Sequence, residues 1–312
     1  MTDSVQRSRL AIRIAIKTLS VGLLAFAVYK LIQADWRGAL EAIANMEFMS
    51  VLIAIGFVVA SFVAYAGYDL LAWRWMGEEI RFRSILFVSF VSTCVTMNVG
   101  IAALSGSAMR FKLYPKYGLS IEKIGEFYLR LFLLFGLGWA LVCGLSLFWV
   151  GDYVSQRFAL PKWLAKSGAW IALFVLLVYL SSCAKEMNFR FGKLQFHMLP
   201  IKLALGHCFV ALADVTTSIG VLYAMVRSSG SELAETTAAY IGANTAGIAS
   251  QIPGGIGVFE WVALELCDSS NQASMLGSLL VFRMIFFWIP LVVALVMYAK
   301  VSRNRIGNVA TQ

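Results

Sequence analysis

Eight stretches of this sequence run for eighteen residues or more with few or no charged side chains, at about 14–34, 48–72, 84–109, 127–150, 167–184, 201–226, 236–259 and 274–299. Nothing else in the chain constrains its fold as tightly. A helix needs about 20 apolar residues to cross the hydrocarbon of a bilayer. A soluble domain has no use for so many apolar runs, and here 60% of residues are apolar and only 14% charged. The chain therefore reads as an all-α, multi-pass membrane protein. Its net charge of +9 comes from short basic clusters between the apolar runs. That pattern fits anionic lipid and membrane topology and argues against a nucleic-acid partner.

Two of the eight runs differ from the rest. Ser84–Met109 carries Asn98, Gly100, Ser105, Gly106 and Ser107 near its middle, and Thr236–Phe259 carries Asn244, Thr245, Gly247, Gln251, Pro253, Gly254, Gly255 and Gly257. Backbone that leaves the helix at membrane depth survives only where protein or a wet cavity satisfies its amides. Both runs are therefore expected to be re-entrant hairpins, leaving about six full transmembrane helices. The basic residues agree. With both runs re-entrant, the inner side holds Arg7, Arg9, Arg13, Lys17, Arg74, Arg81, Arg83, Lys112, Lys116, Lys123, Lys185, Arg190, Lys193, Lys202, Lys300, Arg303 and Arg305. The outer side keeps only Lys30, Arg37, Arg157, Lys162, Lys166 and Arg227. Treating both runs as full spans breaks this bias. Both termini are accordingly expected on the cytoplasmic side. The first run lacks a small-x-small cleavage site and reads as a retained signal anchor.

An internal duplication is visible. Tyr128-Leu129-Arg130-Leu131-Phe132-Leu133-Leu134-Phe135 resembles Val281-Phe282-Arg283-Met284-Ile285-Phe286-Phe287-Trp288, each after one of the unusual runs. Phe62-Val63-Ala64 before Asp69 echoes Phe209-Val210-Ala211 before Asp214. The predicted organisation is one membrane domain over residues 1–312. It comprises an N-terminal span and loop (1–47) and two inverted-topology repeats (about 48–150 and 201–300), an architecture common among transporters.

Charges inside apolar spans are the most informative residues, because each costs roughly 2.5–3.5 kcal/mol on insertion scales. They are Asp69, Arg110, Arg130, Asp214, Glu260 and Arg283. Arg110 ends the first unusual run and Glu260 the second, beside Pro253, Gly254, Gly255 and Gly257. In an inverted repeat these two points are expected to approach the midplane from opposite faces and flank one substrate. An arginine fork holds a phosphate in two parallel hydrogen bonds, and the broken backbone adds amide donors. The alternative is that the six charges pair among themselves and hold the bundle together.

Other motifs carry less. Gly254-Gly255-Ile256-Gly257 follows no strand, so no dinucleotide is expected. His197 and His207 lack HExxH or HxH spacing, the five cysteines show no CxxC, and no GxSxG occurs. No metal, cofactor or catalytic nucleophile is therefore expected, and the cysteines read as packing residues. Trp36, Trp73, Trp75, Trp149 and Trp163 fall near span ends and are expected to form an interfacial belt.

Tyr68-Asp69-Leu70-Leu71, the segment Gly106–Tyr114 followed by Gly118-Leu119, the segment Ile252–Glu260 and Phe282-Arg283 together resemble the lysylphosphatidylglycerol synthase transmembrane-region family. That family includes the flippase part of the bacterial multiple peptide resistance factor and stand-alone inner-membrane proteins of about this length. The resemblance covers nearly the whole chain. It implies movement of a phospholipid between leaflets of the bacterial inner membrane, with functional roles for the residues matching Asp69 and Arg110. The soluble aminoacyl-transferase domain of the resistance factor has no counterpart here, so the lipid cannot be carried over with the fold. Phosphatidylglycerol, cardiolipin or derivatives are the expected ligands, and a homodimer and a separate lipid-synthesis enzyme are the expected protein partners. Two other readings remain: a non-catalytic subunit docking such an enzyme through the basic loops at 74–83 and 185–202, and an intramembrane lipid-headgroup enzyme.

Overall fold

The computed structural model of the chain describes residues 35–99, 102–191, 194–267 and 272–309. The run expected to form the first span, 14–34, lies outside the described residues. A short helix α1 (Trp36–Ala44) is capped by Asp35, whose Oδ1 accepts from the Gly38 N–H at 3.0 Å. Long α2 (Phe48–Trp75) follows, then α3 (Phe82–Val99) and α4 (Ala102–Leu113). A 3₁₀ turn, Tyr114–Tyr117, ends at Gly118 and leads into α5 (Ile121–Arg157), whose N-cap Ser120 accepts from the Lys123 N–H. Helix α6 (Lys162–Ala184) and α7 (Ile201–Val226) each begin behind a proline, Pro161 and Pro200, at a position whose missing N–H no helix needs. Beyond α7 come α8 (Leu233–Ser250), α9 (Val258–Leu266), α10 (Gln272–Arg283) and α11 (Ile289–Val309).

Among the described residues, five helices are long and apolar enough to cross a membrane: α2, α5, α6, α7 and the continuous stretch Gln272–Val301. They carry large apolar side chains on their outer faces, such as Phe48, Phe174 and Phe209. Water would not tolerate this surface; lipid does. The chain is a multi-pass membrane protein.

Both unusual runs fold as two helices packed on each other, α3 on α4 and α8 on α9. Small residues allow the close approach. A Cβ on Gly106 would fall 2.0 Å from Thr96 Oγ1, and one on Gly255 would fall 3.0 Å from the Gly247 Cα. The turn of the first pair, residues 100–101, lies outside the described residues.

Among the described residues, α2 and α7 make the most extensive helix contact. Ser61 and Ser218 hydroxyls meet at 3.1 Å, Gly67 faces Val210, and Gly220 faces the Phe57 ring. Partner numbers in α7 fall as those in α2 rise, so the two helices are antiparallel. Glycine and serine at such a crossing let backbones close in where lipid supplies no hydrophobic drive.

Three features depart from the sequence expectations. The fold is all-α as expected, with one addition: Asn188–Phe191 and Leu194–His197 pair as a short antiparallel ribbon at the α6–α7 connection. Trp73, expected in the interfacial belt, is wholly buried. It stacks on Phe127 at 4.1 Å and meets Tyr114 edge-on. Trp36, Trp149 and Trp163 do lie exposed. Finally, Met284–Trp288 opens into a π-type turn between α10 and α11. Pro290 explains it: the ring offers no N–H to the Phe286 carbonyl, so the helix must widen there.

Candidate functional site

The six charges expected inside the spans do not assemble as one cluster: four form two buried ion pairs, Asp214 is buried apart from them, and Arg130 is only partly buried. Asp69 sits on the face of α2 turned toward α4, with no exposed surface. Arg110, one turn from the end of α4, meets it with a forked contact: Nη2 donates to Oδ1 at 2.9 Å and Nε to Oδ2 at 3.2 Å. Tyr114, four residues beyond Arg110, donates its hydroxyl to Oδ2 at 2.7 Å. The carboxylate thus receives three donors in a volume closed off by Trp73 and Phe127. Two charges taken out of water are held only when geometry and extra hydrogen bonds are this complete.

The second pair joins Glu260 and Arg283. The chain between α8 and α9 leaves the helix at Gln251, and Gly254, Gly255 and Gly257 all adopt positive φ. At Gly255 the requirement is double, since the missing Cβ also makes room for Gly247. Glu260 lies in the first turn of α9. Its Oε2 accepts from the Gly257 N–H at 2.7 Å, and its Oε1 accepts from Arg283 Nε. Arg283 Nη1 donates to the Gly254 carbonyl, which ties the guanidinium to the break itself. Phe259 and Phe287 flank its plane, with centroids 5.3 and 5.0 Å away. Arg283 Nη2 is buried and has no hydrogen-bond partner among the described residues. Buried polar groups are nearly always hydrogen-bonded, so this nitrogen is an exception within an otherwise satisfied pair.

The two unusual runs meet here. Gly254 lies against the Met97 carbonyl, 3.4 Å from where its Cβ would be, and Asn98 Nδ2 donates to the Phe287 carbonyl of the π-type turn at 3.3 Å and to the Cys94 carbonyl at 2.8 Å. The end of α3, the break before α9 and the widened turn after Arg283 therefore share one junction. Proline-glycine and π-type distortions concentrate where backbone groups are needed for something besides the helix ladder.

Arg110 and Glu260, expected to flank one substrate, are not paired with each other; each is taken by a partner from a neighbouring helix. Arg130 stands apart from both pairs. Its Nη1 donates to the Trp75 carbonyl at 3.0 Å, its Nη2 pairs with Glu126, and its guanidinium covers the Trp75 ring at 4.6 Å. Glu126 is half exposed, so Arg130 fastens the end of α2 to α5. Asp214 is buried on α7 and accepts from Tyr68 at 3.4 Å, with Tyr65 also beside it. Among the described residues no lysine, arginine or histidine pairs with it.

Sequence reasoning missed Tyr114, Tyr68 and Asn98 as partners. Tyr114 had a signal, since Arg110 and Tyr114 are one helical turn apart and can reach the same group. Tyr68 had none: it adjoins Asp69 in sequence but points to the other side of α2.

No family model matches the chain. Over 272 residues it is 28% identical to uncharacterized protein slr0712 of Synechocystis, covering 82% of this chain and 80% of that one. Over 308 residues it is 26% identical to inner membrane protein YbhN of Escherichia coli, covering 96% and 94% of the two chains. Over 292 residues it is 23% identical to phosphatidylglycerol lysyltransferase of Staphylococcus aureus; this takes in 90% of the present chain and 33% of the lysyltransferase. The chain is thus a homologue of YbhN over nearly its whole length and of one third of the lysyltransferase, the relationship to which Asp69, Arg110, the Pro253–Glu260 segment and Arg283 point.

Proposed function

We propose that the protein moves a phospholipid with an anionic or aminoacylated headgroup between the leaflets of a bacterial inner membrane. The observation that carries this reading is Arg283. Its buried guanidinium neutralises Glu260, holds the Gly254 carbonyl and still keeps its Nη2 without an acceptor. A phosphodiester oxygen supplies the missing acceptor.

Asp69 and Glu260 act as stand-ins for the lipid phosphate. A carboxylate and a phosphodiester carry the same single charge and both suit the arginine fork. When a phosphodiester takes the fork, the displaced carboxylate keeps its charge and needs a new partner, a proton or a headgroup cation. A carboxylate released in this way is free to meet the amine of an aminoacylated headgroup. The two helix pairs, α3–α4 and α8–α9, enter the bilayer from opposite faces as re-entrant hairpins and shelter the headgroup while the acyl chains stay in lipid. The antiparallel crossing of α2 and α7 supports an inverted repeat, because these are the first helices of the two proposed halves.

The test is leaflet exchange of fluorescent phosphatidylglycerol, cardiolipin and phosphatidylethanolamine analogues in vesicles holding the purified protein. Exchange should be accelerated by the wild type and lost in Arg283→Ala and Arg110→Ala variants that still elute as folded protein. If no lipid moves under any condition, the transport reading fails. The alternative then is a subunit that docks a lipid-synthesis enzyme through its basic loops, which the Trp75–His197 hydrogen bond ties together.

A further inference from the structure

The ion pairs above account for every buried charge among the described residues except Asp214. This carboxyl lies at the α2–α7 crossing and is 3% exposed. Its surroundings are phenols. Tyr68 donates to Oδ2 at 3.4 Å from α2, Tyr65 stands on the same helix, and Tyr240 approaches from α8. From α5 the nearest titratable group is Cys143. Helix α10 offers only Arg283, which Glu260 already holds.

His207 on the same helix is not a counter-ion. Its Nε2 donates to the Leu134 carbonyl at 2.8 Å and its Nδ1 accepts from the Tyr179 hydroxyl at 3.0 Å, assignments that complete the network for a neutral ring.

We propose that Asp214 is a proton-binding site, and that its loading and unloading couples headgroup movement to a proton gradient. The coupling half rests on the transport reading; proton binding does not. A carboxylate sealed from water with hydroxyl donors but no cation has two ways to lower its energy, to take a proton or to take a cation. Aromatic rings close the site on the sides that α2 supplies: Tyr68 packs edge-on against Phe135 and Tyr65 stacks on the same ring. A headgroup amine with its hydration shell has no room there; a proton does.

The same crossing shows how the proton could leave. Gly138 of α5 carries no Cβ, and the space where one would sit is 3.1 Å from both the Tyr68 hydroxyl and His207 Nε2. The packing is tight here, since a Cβ would also fall 2.9 Å from the Ala211 Cβ, so Tyr68 leaves Asp214 only when α2 itself moves. Any sliding of α2 against α7 that separates Tyr68 from Asp214 removes the donor from the ionised form and changes the proton affinity of the site. The ion pair at Asp69 sits on the same helix, one residue away. Exchange of Asp69 for a lipid phosphate and proton exchange at Asp214 are thus carried by the two faces of one rigid element.

The experiment has two readouts on purified protein in vesicles of phosphatidylglycerol and phosphatidylethanolamine. Infrared difference spectra between acid and alkaline buffer should show a protonated-carboxyl band that Asp214→Asn removes and Tyr68→Phe moves to a different pH. An unchanged band in both variants assigns it to another carboxyl and overturns the proposal. Leaflet exchange in wild-type vesicles should change several-fold when a pH gradient is imposed, and in Asp214→Asn it should no longer respond. A gradient response that persists in the variant overturns the coupling. If lipid exchange is absent throughout while the Asp214 band titrates, the transport reading fails and the proton site stands. If Asp214→Asn does not fold, Tyr68→Phe and Tyr240→Phe, which leave the carboxyl in place, decide by whether the band and the gradient response move.

Discussion

Removing the Asp69 carboxylate should destabilise the protein far more than removing the pair altogether. Asp69 has no exposed surface and Arg110 is 6% exposed, so Asp69→Ala strands a guanidinium that water cannot reach. Breaking a buried pair from one side costs about 3–5 kcal/mol, because the remaining charge keeps its desolvation penalty and loses its partner. Tyr114 adds to the loss, since its hydroxyl gave the 2.7 Å bond to the same carboxylate and is left buried without an acceptor. At about 2 °C per kcal/mol for a chain of this size, the single variant should lose roughly 6–10 °C in thermal midpoint. The double variant Asp69→Ala/Arg110→Ala removes both charges, so its loss should be smaller than that of Asp69→Ala alone and far short of the sum of the singles. The assay is tryptophan-fluorescence unfolding in one detergent at fixed lipid content, and Trp73 against Tyr114 is a local reporter. Additive losses, or a single-variant loss below about 1 kcal/mol, would refute the reasoning, because they would mean that neither charge is desolvated in the folded protein.

Other outcomes follow from the remaining contacts. Arg283→Lys keeps the charge but cannot reach Glu260 and the Gly254 carbonyl together, so lipid exchange should fall by about tenfold while folding is retained; a wild-type rate would show that the fork is not used. Gly255→Ala places a Cβ 3.0 Å from Gly247 at positive φ, and should cost about 1–3 kcal/mol in unfolding measurements. Arg130→Ala removes a contact to a half-exposed acid, and should cost no more than about 1 kcal/mol of stability with little effect on exchange in vesicles. Asn98→Ala leaves the Phe287 carbonyl without its donor; a lowered exchange rate with a small change in midpoint would place the junction of the two helix pairs in the transport cycle.

Much of this protein is legible in its sequence because lipid is an unforgiving solvent. A bilayer demands long apolar helices, so the runs at 48–72, 127–150, 167–184, 201–226 and 274–299 could be read directly, and the helices found there extend them by a few residues at most ends. The same solvent makes exceptions visible: Gly106, the Pro253–Gly257 segment and six charges stood out because each is costly among hydrocarbon. What the sequence could not settle was partnership. Asp69, Arg110, Glu260 and Arg283 are spread over more than two hundred positions, and which acid meets which arginine depends on how helices α2, α4, α9 and α10 rotate about their own axes. Rotation is set by packing, and packing at the α2–α7 crossing turns on glycines and serines whose hydropathy says nothing. The burial of Trp73 and the isolation of Asp214 have the same origin. Local chemistry fixed where the helices run and which residues are too expensive to be idle; only the tertiary structure decided which of those residues neutralise one another and which single acid was left among phenols.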